Sequence, residues 1–321
     1  MHGFDPKWKD PTDYILGITQ AIWEERGIDT LDHYYAPDIV VRSPASVVVG
    51  NQGIKAATMA TLAEFPDREL LGEDVIWCDA PGGFLSSHRL ISTATHTHSG
   101  VYGAASGKRF AYRILADCYC SEDQVKDEWL VRDQGAIVAQ MGVEPKQFAA
   151  ELIHKEGGTE QCVKPMTPAN DVTGPYQSRG NQHPLGQQLA GILGDLMQGA
   201  FHRIPSLYDR AAQLEYPNGQ SAQGWRDADS FWMGLRAAFP DAEFKIEHQI
   251  GLEEEQMPPR AAVRWSLNGL HSGWGRFGTP TGAPVYIMGI TQAEFGPGGL
   301  RREWSLIDET AIWKQILLHT G

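Results

Sequence analysis

Two carboxylates stand at matching places near the ends of two similar segments. Asp133 closes Trp129-Leu-Val-Arg-Asp133, and Asp308 closes Trp304-Ser-Leu-Ile-Asp308. In an extended chain alternate residues share a face, so Trp129, Val131 and Asp133 fall on one side and Glu128, Leu130 and Arg132 on the other. Trp304, Leu306 and Asp308 repeat the first set. A carboxyl enclosed beside an indole and an aliphatic side chain loses solvation, its pKa rises, and it becomes useful as an acid or base near neutrality. Capping is the competing role, because Asp is common at strand ends and helix starts. It competes hardest at Asp308, where Glu-Thr-Ala-Ile-Trp reads as the start of a helix.

His98 and His271 are the next candidates, each followed by Ser-Gly. Histidine is the side chain best suited to proton transfer at neutral pH, while a hydrogen-bonded core or rim histidine is the plain alternative. His96 precedes His98 by two residues and would share its strand face, but Gly269 is the expected counterpart in the second copy. No third ligand for zinc can be identified. Arg89 and Arg264 are candidates for holding an anionic substrate group or for a partly buried structural ion pair. Trp129, Trp304, Tyr34 and Tyr208 could line a ligand pocket, although aromatic residues more often build core. There is no Gly-rich phosphate loop after a strand and no nucleophile elbow, so chemistry without a cofactor is expected.

The elements that must position these residues come in two copies. Phe65-Pro66-Asp67 returns as Phe239-Pro240-Asp241, His98-Ser99-Gly100 as His271-Ser272-Gly273, and Glu128-Trp129 as Glu303-Trp304, at offsets of 174, 173 and 175. Several short matches at one nearly constant offset mark a tandem duplication. Each copy opens with helical periodicity (14–25 and 185–198), then a short helix at Tyr34 or Tyr208 and a short extended segment. A helix follows (52–64 and 223–238), stopped by Pro66 or Pro240. Four strand-like runs close each copy, near 70–78, 84–98, 109–120 and 124–133, and near 243–250, 260–271, 284–295 and 299–308. This order predicts an α+β fold with an antiparallel sheet and helices on one face. The expected domains are 1–156 and 185–321, joined by a linker over 157–184 rich in Gly, Pro, Thr, Asn and Gln.

A formal net charge of −13 argues against nucleic acid and anionic membrane surfaces, both polyanions. No apolar run approaches the roughly 20 residues of a membrane span, and residues 1–13 lack a signal-peptide core, so a cytoplasmic protein is expected. Cys78, Cys118, Cys120 and Cys162 show no metal spacing and read as reduced structural thiols.

The run His98-Ser-Gly-Val-Tyr-Gly, followed by Ser106-Gly107-Lys108-Arg109, Glu128-Trp129 to Asp133 and Gln140-Met141-Gly142, resembles SnoaL-like polyketide cyclases. So does the second copy, through His271-Ser-Gly-Trp, Thr279-Pro-Thr-Gly282, Glu303-Trp304 and Asp308. The resemblance implies two cone-shaped α+β barrel modules of the nuclear transport factor two-like, cystatin-like kind, each a curved antiparallel sheet wrapped by helices around an apolar pocket. Single-module members typically dimerise, so it implies an intrachain pseudo-dimer and leaves further oligomerisation open. Asp133 and Asp308 would then act as acid/base groups with His98 and His271 assisting, on a small hydrophobic carbonyl compound, without metal or cofactor. Aldol-type cyclisation, isomerisation and dehydration all fit that chemistry. A small-molecule binding protein of the same fold, or one active and one structural copy, are the alternatives. Ala105-Ser106-Gly107 departs from Pro-Thr-Gly in copy one, and Ala283 replaces the usual Lys in copy two.

Overall fold

A computed structural model describes residues 1–321. The first module runs α1 (Pro11–Thr19), α2 (Leu31–Tyr34), β1 (Tyr35–Ser43), β2 (Ser46–Val49), α3 (Asn51–Glu64), β3 (Glu69–Ala80), β4 (Gly83–Thr95), β5 (Arg109–Ser121), β6 (Gln124–Arg132), α4 (Gln134–Met141) and α5 (Pro145–Lys155). The second repeats it with α6 (Pro184–Met197), α7 (Ile204–Leu207), β7 (Tyr208–Tyr216), β8 (Gln220–Gln223), α8 (Arg226–Ala238), β9 (Glu243–Leu252), β10 (Arg260–Leu270), β11 (Pro284–Gly296), β12 (Gly299–Leu306) and α9 (Glu309–Thr320). The helices α3 and α8 end just before Phe65-Pro66 and Phe239-Pro240, where proline cannot continue the hydrogen-bonded turn. No helix is long and apolar enough to cross a membrane.

Each module is α+β, built on one six-stranded sheet, in the order β2-β1-β6-β5-β4-β3 and β8-β7-β12-β11-β10-β9. The sheets are mixed rather than wholly antiparallel, because β1 lies parallel to β6 and β7 parallel to β12. The expected short extended segment is the β1–β2 hairpin, or β7–β8 in the second module, and it forms one edge of the sheet. Register shifts at Gly72/Asp74, Tyr119/Cys120, Arg264/Trp265 and Glu294/Phe295 bend the strands, since a bulge adds a residue on one side of a ladder. Neither sheet closes into a barrel, because β2 and β3, like β8 and β9, remain unpaired edges.

Helices cover one face of each sheet, and the other two faces pack on each other. The shared layer includes Ile76, Leu85, Leu115, Trp129 and Val131 from the first module and Ile250, Ala262, Met288, Ile290 and Leu306 from the second. Two arginines cross this layer in near-symmetric fashion. Arg89 stacks over the Trp304 ring at 3.5 Å and donates to Gln292 Oε1 at 2.7 Å. Arg264 stacks over Trp129 at 3.9 Å and donates to Asp117 Oδ2 at 3.0 Å. The connecting segment is pinned to the first sheet. Buried Arg42 donates to Asp127 at 2.5 Å and to Asp171 at 2.6 Å, and the Tyr176 N–H donates to the same Asp127.

Candidate functional site

Strand β6 turns Glu128, Leu130 and Arg132 into the first module, where a cavity of about 550 Å³ lies against them. The register of the sheet orders its polar groups by depth. Glu128 shares a row with Val41 and Cys118, Leu130 with Ala116 and His88, and Arg132 with Ile114 and Leu90. Trp23, Ile54, Leu70, Leu90 and Ile114 make the wall largely apolar. Arg68, just after the Phe-Pro-Asp turn, reaches in with Nε 3.2 Å from the Tyr112 hydroxyl and 3.3 Å from Ser92 Oγ. Burial pushes the Tyr112 phenol up, but the guanidiniums of Arg68 and Arg132 with those hydrogen bonds outweigh it and leave it below the usual phenol range.

His88 Nδ1 lies 3.2 Å from Ser86 Oγ, and burial pushes the imidazole down to about 4, so it is neutral at pH 7. Glu128 is the unusual member. Burial raises its carboxyl to about 7, opposed only by the positive charge of Arg132, and no protein donor holds it. A carboxyl near half-ionisation at neutral pH, facing an apolar space, can take a proton from a substrate and return it. Arg132 is half-buried, and its Nε has no hydrogen-bond partner. Its positive charge acts on Glu128 across the cavity.

The sequence profile of the SnoaL-like polyketide cyclases matches residues 14–141 and again residues 190–316. This chain belongs to the SnoaL-like polyketide cyclase family. Solved structures similar to it include IdmH from Streptomyces antibioticus, 22% identical, covering 42% of this chain and 99% of that one at a TM-score of 0.37. A SnoaL-like polyketide cyclase from Agrobacterium tumefaciens str. C58 is 21% identical over 42% of this chain and 99% of its own, with a TM-score of 0.33. TsrD from Streptomyces laurentii is 20% identical over 41% and 91%, with a TM-score of 0.35. Comparison with curated proteins gives no match.

The two SnoaL-like modules differ where it matters for chemistry. Glu303, the counterpart of Glu128, is held by Tyr208 Oη at 2.7 Å, Tyr216 Oη at 3.3 Å, Trp232 Nε1 at 3.1 Å and Ser305 Oγ at 2.6 Å. In the first module Ser43, Thr58 and Leu130 stand where Tyr216, Trp232 and Ser305 stand in the second. Trp265 takes the place of Leu90, Val263 of His88 and Ile307 of Arg132. Indoles and phenols therefore fill the second interior, and the Glu303 carboxylate within it is fully engaged.

The candidate residues of the sequence are placed differently from one another. Trp129, Trp304, Arg89 and Arg264 lie in the layer between the sheets, away from the cavity that holds Glu128; Trp129 and Arg264 line a smaller space of about 290 Å³ together with Asp171, Lys245 and Glu247. Asp133 caps α4 by accepting from the Ala136 N–H at 3.0 Å, and also accepts from the Asn218 N–H at 2.9 Å and the Gly219 N–H at 3.0 Å in the other module. Asp308 caps α9 through Oδ1 and lines the first module's cavity, not one of its own. Burial raises both carboxyls to about 6.

Tyr34 is occupied by Lys7, and ladder pairing makes Tyr35 the counterpart of Tyr208, which is bonded to Glu303. His98 is exposed. The true counterpart of His271 is His96, not His98, and the expected alignment of His96 with Gly269 is corrected. Both histidines pin the following loop through Gly107 N–H and Gly282 N–H, hold Ser106 or Thr281 at Nδ1, and pack on Phe65 or Phe239. Sequence reasoning passed over Glu128, Arg132, Arg68 and His88. The repeated Glu-Trp pair and the parity of β6 did place Glu128 with Arg132, and only the choice of face was missing.

Proposed function

We propose that the first module is a proton-transfer enzyme for a small hydrophobic carbonyl compound, and that the second is its structural partner. Glu128 takes a proton from carbon next to the carbonyl, and the guanidinium of Arg132, whose charge acts on Glu128 across the cavity, favours the enolate that results without touching it. Aldol-type cyclisation, isomerisation and dehydration each begin or end with that step. No resident cofactor enters this scheme. The observation that carries it is the contrast between Glu128, raised to about 7 with no protein donor, and Glu303, engaged by two phenols, an indole and a hydroxyl.

The test is exchange of the α-protons of α-tetralone into deuterated buffer, followed by NMR. Wild-type protein should accelerate exchange with a rate that rises as pH passes about 7, where Glu128 ionises. Glu128→Gln should lower it on the order of 100-fold, the usual worth of a general base. Equal exchange by wild type and Glu128→Gln would remove Glu128 from the chemistry. Tight ketone binding without exchange would favour a binding protein instead.

A further inference from the structure

The second module does more than support the first, because it supplies part of the cavity wall. Asp308, Thr310, Ala311 and Lys314, from the end of β12 and from α9, all line the space in which Glu128 lies. All three protein donors to Asp308, the N–H and hydroxyl of Thr310 and the N–H of Ala311, go to Oδ1. Its Oδ2 accepts from none. Arg132 lines the same space and is close enough for its charge to act on the Asp308 carboxyl. A carboxylate oxygen without a protein donor and a guanidinium thus line one cavity, one from each module.

A difference in turn length explains why this occurs on one side only. Asp133 occupies the matching position, but both its oxygens are taken by the second module's β7–β8 turn, Pro217-Asn218-Gly219. Asn218 and Gly219 sit at φ of +68° and +67°, and this left-handed geometry presents both N–H groups to one carboxylate. The corresponding β1–β2 turn of the first module is Pro44-Ala45, one residue shorter, and proline has no N–H to give. Nothing there reaches Asp308, so its second oxygen stays available.

The geometry points to a recognition pair shared between the modules: Asp308 accepts a hydrogen bond from a substrate hydroxyl while Arg132 donates to an oxygen beside it, selecting hydroxylated hydrophobic ketones. Glu128 lies four residues from Arg132, about 13 Å along the strand before side chains are counted. Leu130, Ile114 and Leu90 fill that interval and suit the apolar body of a fused-ring ketone. This inference rests on the first module's cavity being the reaction site.

The test compares a phenolic hydroxy-α-tetralone with its methyl ether by calorimetry, using full-length protein. Wild type should bind the phenol about tenfold more tightly, the worth of one charge-assisted hydrogen bond. Asp308→Asn keeps an N-cap oxygen for α9, since Asn caps as well as Asp, but puts an amide donor where the free acceptor was. It should abolish the preference or reverse it toward the ether. Asp133→Asn should leave the preference intact. Equal binding of the two ketones by wild type, no binding of either, or an unchanged preference in Asp308→Asn would each overturn the pair. Glu128→Gln separates this inference from the reaction: it should lose proton exchange and retain the preference for the phenol.

Discussion

At Glu128 the protein places an ionisable group where solvation is poor and leaves it without a donor. Folding therefore disfavours its charged form, and stability should depend on pH in a definite direction. Below the ordinary carboxyl value of 4.5 both folded and unfolded states are protonated and there is no difference. Between that value and about 7 the unfolded chain has released its proton while the folded one has not, so stability falls as pH rises. Above about 7 the full penalty stands, on the order of 3 kcal/mol. Glu128→Gln should accordingly be more stable than wild type at pH 8 and match it near pH 4, as read by urea denaturation at both values. A variant that gains nothing at pH 8 would show that the carboxyl is solvated in the folded protein. Glu303 shows the alternative treatment of the same residue type, with four donors in place of an open space.

Among the elements, the two sheets are near copies whose inward residues differ in bulk. Thr58 on α3 and Leu90 on β4 line the first cavity, and Trp232 and Trp265 stand at those positions in the second module. Size at a few positions thus decides whether the fold encloses a cavity or a solid core. Leu90→Trp combined with Ile114→Gly should transfer the filled state to the first module, because Trp265 lies over Gly289 and Ile114 holds that place here. Ketone binding and proton exchange are expected to vanish while the melting temperature moves by only a few degrees, because the new indole enters existing space. Retained binding would mean that ligands use a different part of the cavity. The β1–β2 and β7–β8 hairpins show a second economy of this kind, since one extra turn residue determines whether the opposite aspartate is locked or free.

For the whole molecule, the sheet-to-sheet layer is where the duplication has its effect. It buries Asp117 with Oδ1 unpartnered and Oδ2 held by Arg264, and burial raises that carboxyl despite the arginine. Removing one partner of such a pair leaves an uncompensated group away from water. Arg264→Ala should cost about 3–5 kcal/mol in urea unfolding. Arg264→Ala combined with Asp117→Ala should recover part of the loss. If the single variant loses less than about 1 kcal/mol, the range of an exposed pair, water reaches the layer and the modules are held elsewhere. The Tyr176 hydroxyl, 2.6 Å from His248 Nε2, ties the connecting segment across both modules, so a single unfolding transition is expected.

The sequence by itself determined the duplication, the α+β fold and the pairing of residues along each strand. Offsets of about 175 residues, proline stops and period-two alternation are local or repetitive signals, and they survive without knowledge of packing. Alternation separated Glu128, Leu130 and Arg132 from Trp129, Val131 and Asp133. It had no means of telling which set faces inward, because both faces of each sheet are buried, one by helices and the other by the second module. The histidine match failed for a related reason: His-Ser-Gly aligns as letters, while the loop hydrogen bonds pair His96 with His271. Asp308 belongs to one module in the chain and to the other module's cavity in space. Only tertiary structure decides such a placement, since it depends on how two sheets dock and on one residue in a distant turn.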